Sequence, residues 1–199
     1  MDRRTDFMEF IAENPPEELS GVYEKIMAEF QDNRESIISG FIAALEQALK
    51  ECIFLQKQSK KGSVESIIIS PTYYGMCTGS YELAISLFDE RLYLDRAEAM
   101  SYWQADFVYK YVDLHMPIIK KALKKQFIRI KDYELDEFRQ IYACIYHDLI
   151  VEPLILITEQ VENNSVFREV QKQTKVRVLY GMYMDKHKEI RRISSGVGM

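Results

Sequence analysis

A cysteine flanked symmetrically by glycines, Gly75-Met76-Cys77-Thr78-Gly79, is the stretch of this chain whose residue types and spacing come nearest to a nucleophile site. In a nucleophile elbow two glycines permit a strained turn that presents the reactive atom beside backbone N–H donors. Cys77 would then need a base to draw off its proton, and His115, His147 and His187 are the histidines that could serve. Three features weigh against the elbow. Pro71-Thr72-Tyr73-Tyr74 separates the motif from the apolar strand pattern before it. The segment after it, Tyr81–Phe88, has strand rather than helix character. The chain also lacks the strand–helix alternation of a hydrolase sheet. Glycines in a loop between two strands are explained by their freedom to adopt positive φ.

A second constellation is Cys144 with His147, three apart on a helical pattern and therefore on one face. Asp148 and Glu152 lie nearby. A zinc site needs three or four ligands, and no second pair such as C-x-x-C or H-x-x-x-H accompanies them. No metal or other cofactor is expected. No phosphate-cradling glycine loop is present either. Cys77 and His147 therefore stand as the candidate catalytic residues of an alternative reading, a cysteine-dependent hydrolase or transferase.

The third constellation is basic. Lys120, Lys121, Lys124 and Lys125 form a stripe at helical spacing, continued by Arg129 and Lys131. From Pro117 to Lys131 there are six basic and no acidic residues. From Met1 to Gln58 there are twelve acidic and six basic residues, a local net of −6. Binding of nucleic acid through Lys120–Lys131 is a third functional reading. The overall charge of −5 disfavours it and suits a charged partner protein or a second copy of the chain better.

Composition points the same way. Thirteen tyrosines against one tryptophan supply rings that can be half buried and hydroxyls that stay wet, a balance suited to interfaces. Tyr73, Tyr74 and Tyr81 bracket the glycine-flanked segment and form, with the four lysines, the candidate binding residues. Three cysteines at irregular spacing give no disulfide framework, and the N-terminus lacks the apolar run of a secretory signal. These features, and the absence of any membrane-length apolar run, predict a cytoplasmic protein.

The elements that must position these residues are legible as periodicities. Helices are expected over 5–13, from Pro16 to about Asp32, and on to about Gln58. In the last, Ile38, Phe41, Leu45, Ala48, Cys52 and Leu55 step by three and four, a spacing that faces a bundle core or a subunit seam. Val64–Ser70 reads as a strand buried on both faces. Tyr81–Phe88 and Arg91–Leu94, separated by Asp89-Glu90, complete an antiparallel meander over about 64–94. Asp95 and Glu98 read as the cap of a helix carrying Met100, Trp103, Phe107, Tyr111 and Leu114. Pro117 reads as the start of another helix through Ile130. Leu135–Asn163 reads as a long helix split by Pro153. Lys175–Met184 alternates as a strand joining the meander, between flanks that look helical.

The expected fold is thus a single α+β domain over 1–199: a small, mainly antiparallel sheet packed by several helices, with a frayed tail at about 194–199. The expected function is non-enzymatic: a protein-binding or regulatory factor, in one form an immunity-like accessory protein that neutralises a charged partner; the heptad-like helix leaves a homodimer open beside its commoner use as a bundle face.

Overall fold

The computed structural model describes residues 3–194; most of the expected tail lies outside them. Five strands form one sheet in the order β3-β2-β1-β4-β5. They are β1 (Val64–Pro71), β2 (Glu82–Phe88), β3 (Met100–Gln104), β4 (Lys172–Tyr180) and β5 (Lys188–Ser194). β1, β2 and β3 form the antiparallel meander, β4 runs parallel to β1, and β5 returns antiparallel on β4. The helices are α1 (Arg3–Glu13), α2 (Val22–Asp32), α3 (Arg34–Lys57), α4 (Tyr73–Thr78), α5 (Asp106–Gln126), α6 (Asp132–Leu149), α7 (Val151–Thr158) and α8 (Ser165–Glu169). This is the expected α+β architecture.

One sheet face is apolar and carries the helices. Ile67 and Ile69 of β1, Leu83, Ile85 and Leu87 of β2, Trp103 of β3, and Val176 and Val178 of β4 all join the main core. α3 crosses β2 and β3, where the Ser101 hydroxyl donates to the Ala44 carbonyl at 2.6 Å. Phe41 meets Trp103 edge-on at 5.3 Å. The three-and-four stripe of α3 supplies Phe41, Leu45, Ala48 and Cys52 to this core. Four of the six stripe residues are thus buried against the internal core, with Ile38 and Leu55 partly buried beside them. Burial pushes the Cys52 thiol up to about 11.

Several boundaries differ from expectation for physical reasons. The third strand is Met100–Gln104, while Leu92–Leu94 is a single 3-10 turn. Trp103 and Phe107 share helical spacing, which hid a strand that pairing with β2 holds in place. Asp95 caps no helix, because the chain after it runs without a helical turn into β3. Pro117 lies inside α5 rather than at its start. Pro153 does divide its helix: the axes of 132–149 and 151–163 diverge by 45°. The break falls at Ile150, beside Leu149, the residue four before Pro153 whose carbonyl loses its donor. The flank read as helical, Lys188–Ser194, is the edge strand β5; its many charges suit an exposed sheet edge. No single helix among the described residues is long and apolar enough to cross a membrane.

Candidate functional site

The glycine-flanked segment is the short helix α4. The Thr72 hydroxyl accepts from the Gly75 N–H at 2.9 Å and caps its start. Gly79 ends it in the left-handed region, φ 78°. The tail of the segment is stapled to β2: the Gly79 and Tyr81 N–H groups both donate to the Gly75 carbonyl, and the Thr72 N–H donates to the Glu82 carbonyl. A side chain at position 75 would stand 2.6 Å from the Thr72 hydroxyl and 2.8 Å from the Glu82 nitrogen. At position 79 it would collide with the Arg139 guanidinium. Close packing thus requires glycine at 75, and the left-handed backbone requires it at 79.

Cys77 sits in the last turn of the helix, exposed, and no hydrogen bond joins it to a histidine among the described residues. His147 reaches α4 but touches the neighbouring residue, with Nε2 3.2 Å from the Met76 sulfur and Nδ1 3.1 Å from the Tyr109 hydroxyl. Burial lowers its pKa to about 4, so the ring is neutral near pH 7 and a weak base. The Cys144 thiol donates to the Gln140 carbonyl of its own helix. Among the described residues no group of three or more His, Cys, Asp or Glu side chains is placed to hold a metal ion.

The lysine stripe follows one side of α5. Lys121, Lys124 and Lys125 are exposed, and Lys120 pairs weakly with Asp132 at 3.8 Å. It lies on a different element from the tyrosines and shares no cavity with Tyr73 or Tyr74. Tyr81 separates from its neighbours too. Its ring is buried in the helical layer, stacked on Tyr109 at 5.2 Å, and its hydroxyl donates to Asp113 at 2.9 Å. Arg139 lies over the same ring and donates to the same carboxylate oxygen at 2.7 Å.

Tyr73 and Tyr74, by contrast, stand 71 and 72 % exposed at the mouth of a cavity of about 410 Å³. The cavity lies on the sheet face opposite the helices, and strand register explains why it exists. Across β1, β2 and β3 the side chains of that face run Ser70–Ala84–Tyr102 in one row and Ile68–Ser86–Met100 in the next. Small residues at the centre leave a depression, and Tyr102 stands 54 % exposed at its edge. Large rings rise from the surrounding loops: Tyr93 from the 3-10 turn and Tyr183 from the β4–β5 connection.

These walls are held rigidly. Phe88 and Tyr93 meet edge-on at 5.2 Å, Tyr93 and Tyr183 at 5.0 Å, and the Tyr93 hydroxyl lies 3.0 Å from His187 Nε2. Beneath them runs a buried ion network. Lys61 pairs with Asp95, their side chains 1 and 0 % exposed, and donates to the Ala97 carbonyl at 2.8 Å. Arg91 links Asp95 at 3.1 Å to Asp89 at 2.6 Å. Burial alone would raise the Asp89 pKa. Hydrogen bonds from the Arg91 side chain and from the Arg91 and Gly62 N–H groups outweigh it and hold the carboxyl at about 2. The network pins residues 89–97 to the end of the helix–strand connection at 61–62.

Sequence reasoning found Tyr73 and Tyr74 but missed Tyr93, Tyr102 and Tyr183; the five rings assemble from segments up to 110 residues apart. The tyrosine excess was their one compositional trace. No protein-family model matches this chain, and neither a curated protein nor a solved structure matches it.

Proposed function

We propose that this chain is a non-enzymatic binding protein and that the aromatic cavity over β1–β3 receives an apolar or aromatic group presented by a partner protein. One observation carries the reading: rings that are expensive to leave in water stand exposed around a preformed depression, one wall of which is anchored by a buried ion pair. Contiguous exposed apolar surface of this kind marks interaction sites. A volume of about 410 Å³ suits one side chain or a small ligand.

Indole, a neutral aromatic probe, tests the site by saturation-transfer NMR. Millimolar binding is expected, and Ser86→Phe, which fills the depression from its floor on the face away from the core, should abolish it. Equal binding by the plugged variant would overturn the assignment, as would no binding at all.

A further inference from the structure

The charge inventory of the cavity narrows its ligand, on the reading that the cavity is the binding site. Six aromatic rings line it, together with two carboxylates, Asp95 and Glu98, and no lysine, arginine or histidine. The two acids differ in availability. Asp95 is saturated: Lys61, Arg91 and the Ala97 N–H take its oxygens below the surface. Glu98 is exposed, and among the described residues no cation or hydrogen-bond donor engages its side chain. The one unspent charge at the cavity is therefore negative.

The rings add to that field. The face of a tyrosine or phenylalanine ring carries negative electrostatic potential, and several such faces around a depression favour a diffuse positive charge over a neutral group of equal shape. A compact, strongly hydrated ammonium would lose its water shell on entry. An alkylated ammonium, whose charge is spread over methyl groups, satisfies the rings and the carboxylate together. Anionic ligands are disfavoured on both counts.

From this juxtaposition of aromatic rings with an unpaired Glu98 we infer that the cavity binds an alkylated ammonium group. That group is carried either by a small molecule or by a modified lysine side chain of the partner; the chemistry of recognition is the same.

Two probes of nearly equal shape isolate the charge: choline, and its neutral carbon analogue 3,3-dimethylbutan-1-ol. A third, a short peptide containing Nε-trimethyl-lysine, separates the two sources. Protein-observed NMR titration should show choline binding at least tenfold tighter than the alcohol. Glu98→Gln, an exposed substitution with no structural partner to lose, should weaken choline several-fold and leave the alcohol unchanged. Peptide binding more than tenfold tighter than choline assigns the group to a partner protein. Comparable binding assigns it to a free ligand. Equal affinity for choline and the alcohol overturns the inference while leaving the cavity as an apolar site. Absence of binding by both cations also overturns it, and the indole titration then decides separately whether the cavity is a site at all.

Discussion

Lys61→Met removes the cation at the centre of the network that holds the cavity wall. Lys61 and Asp95 are both fully enclosed, so the substitution strands a carboxylate and frees the Ala97 carbonyl. Breaking a buried pair by deleting one member costs about 3 to 5 kcal/mol. Arg91 and the Ala97 N–H still contact Asp95, which places the loss at the lower end, about 3 kcal/mol. For a domain of this size that corresponds to a melting point lower by roughly 6 to 12 °C. Adding Asp95→Asn removes the stranded charge and should recover about 1 to 2 kcal/mol, so the two substitutions are strongly non-additive. Urea unfolding of the four proteins in the cycle measures this. A loss below about 1 kcal/mol for Lys61→Met, or strict additivity, would refute the claim that the network is buried and coupled. The same variant should bind indole more weakly, because residues 89–97 lose their anchor.

Other consequences are independent of this network or probe its margins. Asp89 titrates at about 2 when folded against an ordinary 3.8, so its contribution is full above pH 4 and is lost as pH falls towards 2. The loss is about 2 kcal/mol, and Asp89→Asn should flatten that limb of the acid-unfolding curve. His147 behaves as a buried neutral base: its folded pKa of about 4 lies below the ordinary 6.5, so stability is full above pH 6.5 and declines as pH falls to 4. About 2 kcal/mol is expected after allowing for partial exposure of the ring, and His147→Gln should remove the slope. Gly79→Ala should cost about 1 to 3 kcal/mol by thermal unfolding, through left-handed backbone strain and displacement of Arg139 from Asp113. Iodoacetamide should label Cys77 and Cys144 in the native protein and Cys52 only on unfolding, with Cys77→Ala leaving indole binding unchanged.

What could be read in advance was local. The Ile67-Ile68-Ile69 run announced a strand buried on both faces, and it is: Ile67 and Ile69 face the helices, and Ile68 lies under the opposite face. The stripe of α3 announced a core face. Pro153 announced a break. What was misread was decided by distant partners. Trp103 of β3 stands at helical spacing from Phe107 of α5, and β3 becomes a strand through pairing with β2. β5 is a charged edge whose ladder bonds go to β4, and charged edges carry little apolar alternation. α4 resembled a loop because its two glycines suggested turns, whereas one is needed for close approach to β2 and the other for the left-handed end of the helix. The cavity itself was the least legible feature. Its floor is a set of small residues whose adjacency depends on strand register, and its walls depend on a Lys61–Asp95 pair that bridges 34 residues. No periodicity encodes either.

The central claim, that the aromatic cavity on the open sheet face is the binding site, is tested most directly with ring-labelled tyrosines. Thirteen tyrosines report simultaneously from both sides of the sheet. On addition of indole or choline, resonances of Tyr73, Tyr74, Tyr93, Tyr102 and Tyr183 should shift together, while those of Tyr109, Tyr142 and Tyr146 in the helical layer stay in place. Shifts confined to the helical layer, or spread evenly over both groups, would contradict it.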